Sequence, residues 1–346
     1  MIDLTQFFSP ALTEIGRIPM ASPLEPVSGR TEVSLDGAWD FRLAPDPGSV
    51  GDGWWDEGDW RTITVPGVWT RQDTGDLPQY TNVLMPWDEQ PPNVPAANPT
   101  GLYRTTFERP PDPRVTVTFG AAESLLAVWC NGRFVGMGKD SRLASTFDLT
   151  PHLTEGANTL AAAVCRWSDA TWIEDQDHWY HGGLHRSVVL TGTGEVHIAD
   201  LVSNGDLDPA TGRGAVDITV RVDGPGRIEA GWTVDATLEV DDGGSVAGRA
   251  ELPADPAAVG GRAMVAAYRY TGREAVIPLT DLAIAPWSAE DPRRYRLTVS
   301  LIDPTGTTVE VVGRWVGFRR VEVVDRRLLV NGVPITVAGV NRHDGE

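Results

Sequence analysis

Two segments concentrate side chains able to do chemistry on hydroxyl-rich molecules. One is Gln79-Tyr80-Thr81-Asn82-Val83-Leu84-Met85-Pro86-Trp87. The other is Arg166-Trp167-Ser168-Asp169, continuing through Trp172-Ile173-Glu174-Asp175-Gln176-Asp177-His178-Trp179. Carboxylates and amides exchange hydrogen bonds with hydroxyl groups, while indole faces cover the C–H surface of a pyranose ring. The plainer reading is a turn amide at Asn82 and a solvated acidic loop, and residue types alone do not separate the two. Glu174, Asp175 and Asp177 need donors or a cation nearby if the loop is partly buried. Glu174 and Asp175 read as loop stabilisers, and Arg166 as a partner for a loop acid. His181 and His185 stand four apart, but Gly182-Gly183 between them argues against a helix that would put both on one face. They and His178 read as structural or solvent-facing rather than metal-ligating. There is no Gly-rich phosphate loop with its lysine, no Cys-x-x-Cys and no His-Glu-x-x-His.

The elements that must position these loops are short strands. Glycine (37) and proline (26) are abundant in the 346 residues, which favours turns over long helices. Val115, Val117 and Phe119 alternate with threonines as a half-buried strand. The apolar run at 125–130 meets Asn131-Gly132, a strong hairpin signal, and returns through Phe134-Val135. Residues 160–165 and 188–190 supply further strands, with long Trp-rich loops at 50–100 and 167–186. Trp54, Trp55 and Trp60, among Asp52, Asp56 and Asp59, invite a lectin reading, but read better as anchors of a long loop on the sandwich; Trp39 and Trp129 read as core. After a linker at Thr191-Gly192-Thr193-Gly194 the alternation becomes regular, at Val216-Ile218-Val220-Val222, Trp232-Val234-Ala236-Leu238-Val240 and Tyr295-Leu297-Val299-Leu301. That pattern suggests an immunoglobulin-like sandwich. A hairpin turning at Asn331-Gly332 and an apolar strand at 335–340 then lead into Asn341-Arg342-His343-Asp344-Gly345-Glu346. A polar cluster at the end of an apolar strand is how a (β/α)₈ barrel opens its active face, yet the residues such a barrel needs do not follow.

Acidic residues outnumber basic ones, 48 to 29, for a net charge of −19, which disfavours nucleic acid and anionic membrane as partners. Residues 1–20 carry no secretory-type basic start and apolar run. Cys130 and Cys165 are the only cysteines and read as buried, unbridged thiols in a reducing compartment, so the cytoplasm is expected.

In order along the chain stand Asn98-Pro99-Thr100-Gly101-Leu102-Tyr103, Trp129-Cys130-Asn131-Gly132-Arg133-Phe134-Val135-Gly136 and Asp140-Ser141-Arg142. There follow Arg166-Trp167-Ser168-Asp169, Glu174-Asp175-Gln176-Asp177, Trp287-Ser288-Ala289-Glu290, Val316-Gly317-Phe318-Arg319 and Gly339-Val340-Asn341-Arg342-His343. Over about residues 31–344 this series resembles the N-terminal third of the large bacterial β-galactosidases of glycoside hydrolase family 2.

The resemblance implies an all-β chain: an arm over 1–30, a jelly-roll sugar-binding domain over 31–192, an immunoglobulin-like sandwich over 195–317, and at 318–346 the start of a truncated barrel. It implies that Asn82 and Asp177 contact a galactosyl group, that Asp177 also ligates sodium, and that Asp169 lies at a peripheral magnesium site. The primary magnesium ligands and both catalytic glutamates of the retaining mechanism are expected outside this chain. Arg342 and His343 would face the barrel mouth. The family continues His-Glu-His-His-Pro where this chain reads His343-Asp344-Gly345-Glu346, so Glu346 is not read as catalytic. The parent enzyme is expected to hydrolyse terminal β-D-galactosides such as lactose as a homo-oligomer, and the 346-residue chain alone to be inactive. A stand-alone carbohydrate-binding module, or a relative acting on glucuronides or mannosides, are the competing readings. Residues from about 320 are expected to be poorly ordered or docked on the second domain.

Overall fold

The computed structural model describes residues 2–56, 58–81, 84–174, 177–225, 228–241, 243–253 and 273–341. Asn82, Arg342 and His343 lie outside the described residues. The chain divides into two units, residues 1–20 with 32–192 and 341–346, and residues 21–31 with 193–340.

In the first unit the strands that bear on the loops are, in chain order, β1 (Gly37–Ala44), β2 (Gln79–Thr81), β3 (Thr100–Glu108), β4 (Leu125–Cys130), β5 (Arg133–Lys139), β6 (Ala157–Cys165) and β7 (His178–Tyr180). A seven-stranded sheet runs Glu14–Ile15, β5, β4, β6, β3, β1, Arg61–Val65. A five-stranded sheet built on Arg114–Phe119 and Val188–Thr193 packs against it. Alternation puts Trp39 and Phe41 of β1 inward with Val117, Phe119 and Phe147, while Asp40 and Arg42 point out. Strand β4 is buried at every residue because both its faces are covered. Leu126, Val128 and Cys130 meet the second sheet, while Leu125, Ala127 and Trp129 meet Leu4, Phe7 and Trp54. Asn131 and Gly132 both take positive φ, 50° and 73°, as the tight β4–β5 hairpin requires.

Residues 2–20 are therefore held rather than loose. Leu4 and Phe7 sit in the outer cluster, Glu14–Ile15 pairs with β5, and Arg17–Ile18 extends the second sheet. Cys130 pairs across from Leu160 and Cys165 from Leu125, so the two thiols sit at opposite ends of the β4–β6 ladder and in different clusters. Both are free, and burial pushes each thiol up to about 12.

The second unit is a sandwich of β8 (His197–Asp208), β9 (Arg213–Asp223), β10 (Thr233–Glu239), β11 (Arg273–Leu282), β12 (Tyr295–Ile302) and β13 (Thr308–Val316). Sheet β8-β9-β11 faces a sheet ordered Ser245–Glu251, β10, β12, β13, Glu25–Ser28. The alternating residues read from the sequence form its core: Val216, Ile218, Val220 and Val222 against Val234, Ala236, Leu238, Leu297, Val299 and Leu301. Glu310 is a buried exception, bonded to Arg30 Nε at 2.7 Å and to the Ile198 amide at 2.6 Å.

Residues 321–334 form a separate three-stranded sheet, β14 (Val321–Val324), β15 (Arg327–Val330) and β16 (Val333–Pro334). It is tied to its unit by Asn331 Nδ2 donating to the Trp287 carbonyl at 3.0 Å and by the Arg320–Asp206 ion pair. The strand expected at 335–340 is not formed, and Ile335, Val337 and Val340 are exposed. A central barrel strand gains its hydrogen bonds from parallel neighbours, and among the described residues no strand pairs with it.

Candidate carbohydrate site

The two segments singled out by residue type come together as a ladder. Strands β2 and β7 pair antiparallel, with Thr81 opposite His178, Tyr80 opposite Trp179 and Gln79 opposite Tyr180. Thr81 immediately precedes Asn82 in the chain, and His178 immediately follows Asp177. The Tyr80 hydroxyl donates to the Asp177 carboxylate. The Tyr80 and Trp179 rings lie 5.5 Å apart, 47% and 37% exposed, and present an aromatic surface beside that carboxylate. Cross-strand aromatic pairs of this kind stabilise a short ladder, and their faces remain open to an apolar sugar surface. Both residues lie in the segments singled out from the sequence; the register is what brings them together.

Such a short ladder cannot hold itself, and its support is polar and buried. Arg166, 1% exposed at the end of β6, directs Nη1 to both Asp76 oxygens at 2.8 and 2.7 Å. Its Nη2 reaches the carbonyls of Leu77, at 2.8 Å, and Tyr180, at 3.1 Å, on either side of the ladder. Burial lowers its pKa while Asp76 and Glu123 oppose that, and a guanidinium keeps its proton throughout. The loop acid expected for Arg166 is thus Asp76, which also accepts from Trp69 Nε1 at 2.7 Å. Asn98, fully buried, clamps the Trp167 backbone with both ends of its amide, at 2.8 and 2.9 Å. Trp87 packs on Trp167 at 4.6 Å, and Trp172 Nε1 donates to the Asn93 carbonyl at 2.9 Å.

Glu174 accepts from the Ser141 amide at 3.0 Å and its hydroxyl at 2.5 Å, the loop-stabilising role expected of it. Asp175 lies outside the described residues. Glu123, a residue the motifs did not flag, is 2% exposed. It accepts from the His181 amide at 3.3 Å and lies 3.5 Å from Arg142 Nη1. His181 Nδ1 bonds Thr70 Oγ1 at 2.9 Å, and His185 Nε2 donates to the Ser141 carbonyl at 2.7 Å. Burial holds both imidazoles below the ordinary histidine value. They are structural, as read.

Asp169 is occupied differently from its expected role. Its Oδ1 takes the Lys139 ammonium at 2.6 Å, with both side chains buried. Lys139 also donates to the Ser9 carbonyl at 3.0 Å. An ammonium already neutralises this carboxylate, and a magnesium ion would have to displace it. The residues here do not fit a magnesium ligand set; they fit an ion pair fastening the loop at Asp169 to β5, with the arm's Ser9 carbonyl on the same ammonium. Among the described residues no group of three or more His, Cys, Asp or Glu side chains converges on a metal-sized point. None of the described helices is long and apolar enough to cross a membrane.

A sandwich carrying exposed aromatics and a carboxylate on a rigidly braced loop ladder has the make-up of a carbohydrate-handling protein. Sequence comparison agrees. Residues 33–193 match the glycosyl hydrolases family 2 sugar binding domain, and residues 196–319 match a further glycosyl hydrolases family 2 domain. The chain belongs to glycosyl hydrolase family 2. Among its relatives, a β-galactosidase of Vibrio vulnificus is 36% identical over 321 residues, covering 90% of this chain and 30% of its own length. A β-galactosidase of Pseudoalteromonas haloplanktis is 35% identical over 323 residues, with the same coverage. The chain therefore spans about a third of the length of the curated relatives it matches. Among solved structures, a Bifidobacterium dentium β-glucuronidase superposes with a TM-score of 0.68 at 21% identity, over 91% of this chain and 52% of that one. A family 2 member from Bacteroides cellulosilyticus gives 0.66 at 18% identity, over 89% and 39%. At those identities the likeness carries the fold alone.

Proposed function

We propose that this chain is the N-terminal part of a retaining glycosidase that hydrolyses terminal β-D-galactosides, and that it supplies part of the sugar-binding wall but no catalytic carboxylate. The observation that supports this most is the β2–β7 ladder. It sets the residue before Asn82 against the residue after Asp177 and puts a Tyr80 hydroxyl on the Asp177 carboxylate. In this reading Asp177 accepts from a galactosyl hydroxyl, Asn82 makes a second hydroxyl contact, and Tyr80 keeps the carboxylate aimed. Asp177 is a hard oxygen donor and suits one position of a sodium ion; such an ion would anchor the same hydroxyl. The remaining ligands, and magnesium, belong elsewhere in the longer protein.

Glucuronides are the competing substrate class. An ionised Asp177 favours a neutral hydroxymethyl over the carboxylate of a glucuronide, because like charges at close range repel. Mannosides differ from galactosides in ring hydroxyls that Asp177 alone does not distinguish, and the relatives' similarity favours galactosides.

Calorimetric titration of the 346-residue chain with galactose and with glucuronate tests the assignment. Galactose is expected to bind more tightly than glucuronate. Asp177→Asn is expected to weaken galactose by about tenfold while relieving the bias against glucuronate. Equal affinities for the two sugars in both forms would contradict it.

A further inference from the structure

The outer face of the seven-stranded sheet carries a pocket that shares no residue with the β2–β7 ladder. The long loop after β1 folds back over this face, with Trp54 buried against Trp129 at 5.5 Å, edge to face. The indoles thus anchor the loop. Between Trp55 and the uncovered parts of β1, β3 and β6 remains a cavity of about 340 Å³, lined by Asp40, Trp55, Asp56, Arg104, Thr106 and Thr159 among others. That volume lies in the range of small-ligand sites and holds one pyranose ring.

Its chemistry is specific. Arg104 commits four of its five N–H donors: Nε and Nη2 go to Asp40 Oδ2 at 3.1 and 2.7 Å, and Nη1 to the Trp55 and Asp56 carbonyls at 2.8 and 3.3 Å. Its guanidinium also lies over the Trp60 ring at 4.6 Å. Arg104 therefore shapes the pocket, with its charge paired to Asp40. Thr106 and Thr159 are cross-strand partners on β3 and β6. Among the described residues, no hydrogen-bond partner is found for Asp40 Oδ1 or for either of these threonine hydroxyls. One carboxylate oxygen and two hydroxyls beside an indole make a set that accepts from, and donates to, neutral hydroxyl groups. A phosphate or carboxylate ligand would meet Asp40 and Asp56 on a chain of net charge −19. A metal ion is poorly served, since no metal-sized cluster is found among the described residues.

We propose that this pocket is a second saccharide-binding site, taking a single neutral pyranose or the end of an oligosaccharide. Asp40 and the two threonines would bind its hydroxyls, and Trp55 would flank its ring. Thr→Val is close to isosteric and β-branched, so Thr106→Val with Thr159→Val preserves the strands while removing both hydroxyls.

The test is calorimetric titration of the full 346-residue chain with glucose, galactose and lactose in turn, up to ~100 mM because isolated saccharide sites are weak. At least one sugar is expected to bind saturably, with a component whose affinity is lowered about tenfold in the double threonine variant. The Trp55 indole N–H resonance of the unmodified chain is expected to shift with the same saturation curve. Failure of all three sugars to bind overturns the proposal. So does binding that follows Asp177 and leaves both the threonine variant and the Trp55 resonance unaffected. Loss of the Asp177-dependent component alone counts against the galactoside reading and leaves this pocket standing.

Discussion

The two units solve the same packing problem with different materials. In the second, a period-two run of aliphatic residues from β9, β10 and β12 fills the core, with Glu310 and Arg30 as a buried ion pair. In the first, the sandwich core is equally apolar, but the loops at one end are fastened by buried charge: Arg166 on Asp76, Lys139 on Asp169, Glu123 under the His181 amide. Burying ions is costly unless each is paired and hydrogen-bonded, and hydrophobic residues of the same volume often stabilise as well. The difference teaches that the polar scaffolding sits where irregular loops must be held in one geometry. A sheet can be held by its ladder and core, whereas a three-residue ladder such as β2–β7 needs fixed donors at its ends.

That contrast can be broken by substitution. The largest effect is expected for Arg166→Met, which leaves Asp76 without its counter-charge and the Leu77 and Tyr180 carbonyls without donors. A loss of about 3–5 kcal/mol is expected in denaturant unfolding, with faster amide exchange at 178–180. Leu297→Ala in the second unit should cost about 3 kcal/mol through its cavity yet leave exchange at 178–180 unchanged. If it loosens that ladder equally, the division of labour between the units is wrong.

Acid gives a gentler probe. His181 and His185 titrate below the ordinary value of 6.5 because burial disfavours their charged forms. The unfolded chain then binds protons first as the pH falls. Their contribution is fully present above pH 6.5 and is lost as the pH drops through the folded-state values. Unfolding midpoints followed from pH 7 to pH 5 should decline, and His181→Gln should flatten the decline. The smallest stability effect is expected for Asp177→Asn, within about 0.5 kcal/mol, since its half-buried carboxylate bonds the exposed Tyr80 rather than the Arg166 bracing network. A larger loss would make Asp177 a structural acid.

Much of this was legible in the residues, for identifiable reasons. Strict alternation in β9, β10 and β12 has one physical reading, and the Asn-Gly pairs at 131–132 and 331–332 take the left-handed conformations their types allow. The unbroken run at 125–130 was legible as a strand of a hairpin, whereas the covering of its outer face by the arm and the Trp54 loop depends on contacts far along the chain. Arg166 was readable as a partner for a loop acid, but Asp76 lies ninety positions away and nothing local selects it. Asp169 meets the same limit: its Trp-Ser-Asp setting says nothing of Lys139, thirty residues earlier. The apolar stretch at 335–340 reads as a strand by composition, but pairing decides, and composition does not carry the neighbours.

The account rests most heavily on the chain being a wall of the sugar site without the bond-breaking carboxylates. The direct measurement is hydrolysis of 4-nitrophenyl β-D-galactoside by the purified 346-residue chain, followed by nitrophenolate release in sodium- and magnesium-containing buffer. A rate indistinguishable from the protein-free blank is expected. Turnover above the blank that persists through repurification would contradict the account and place an acid and a nucleophile within these two sandwiches.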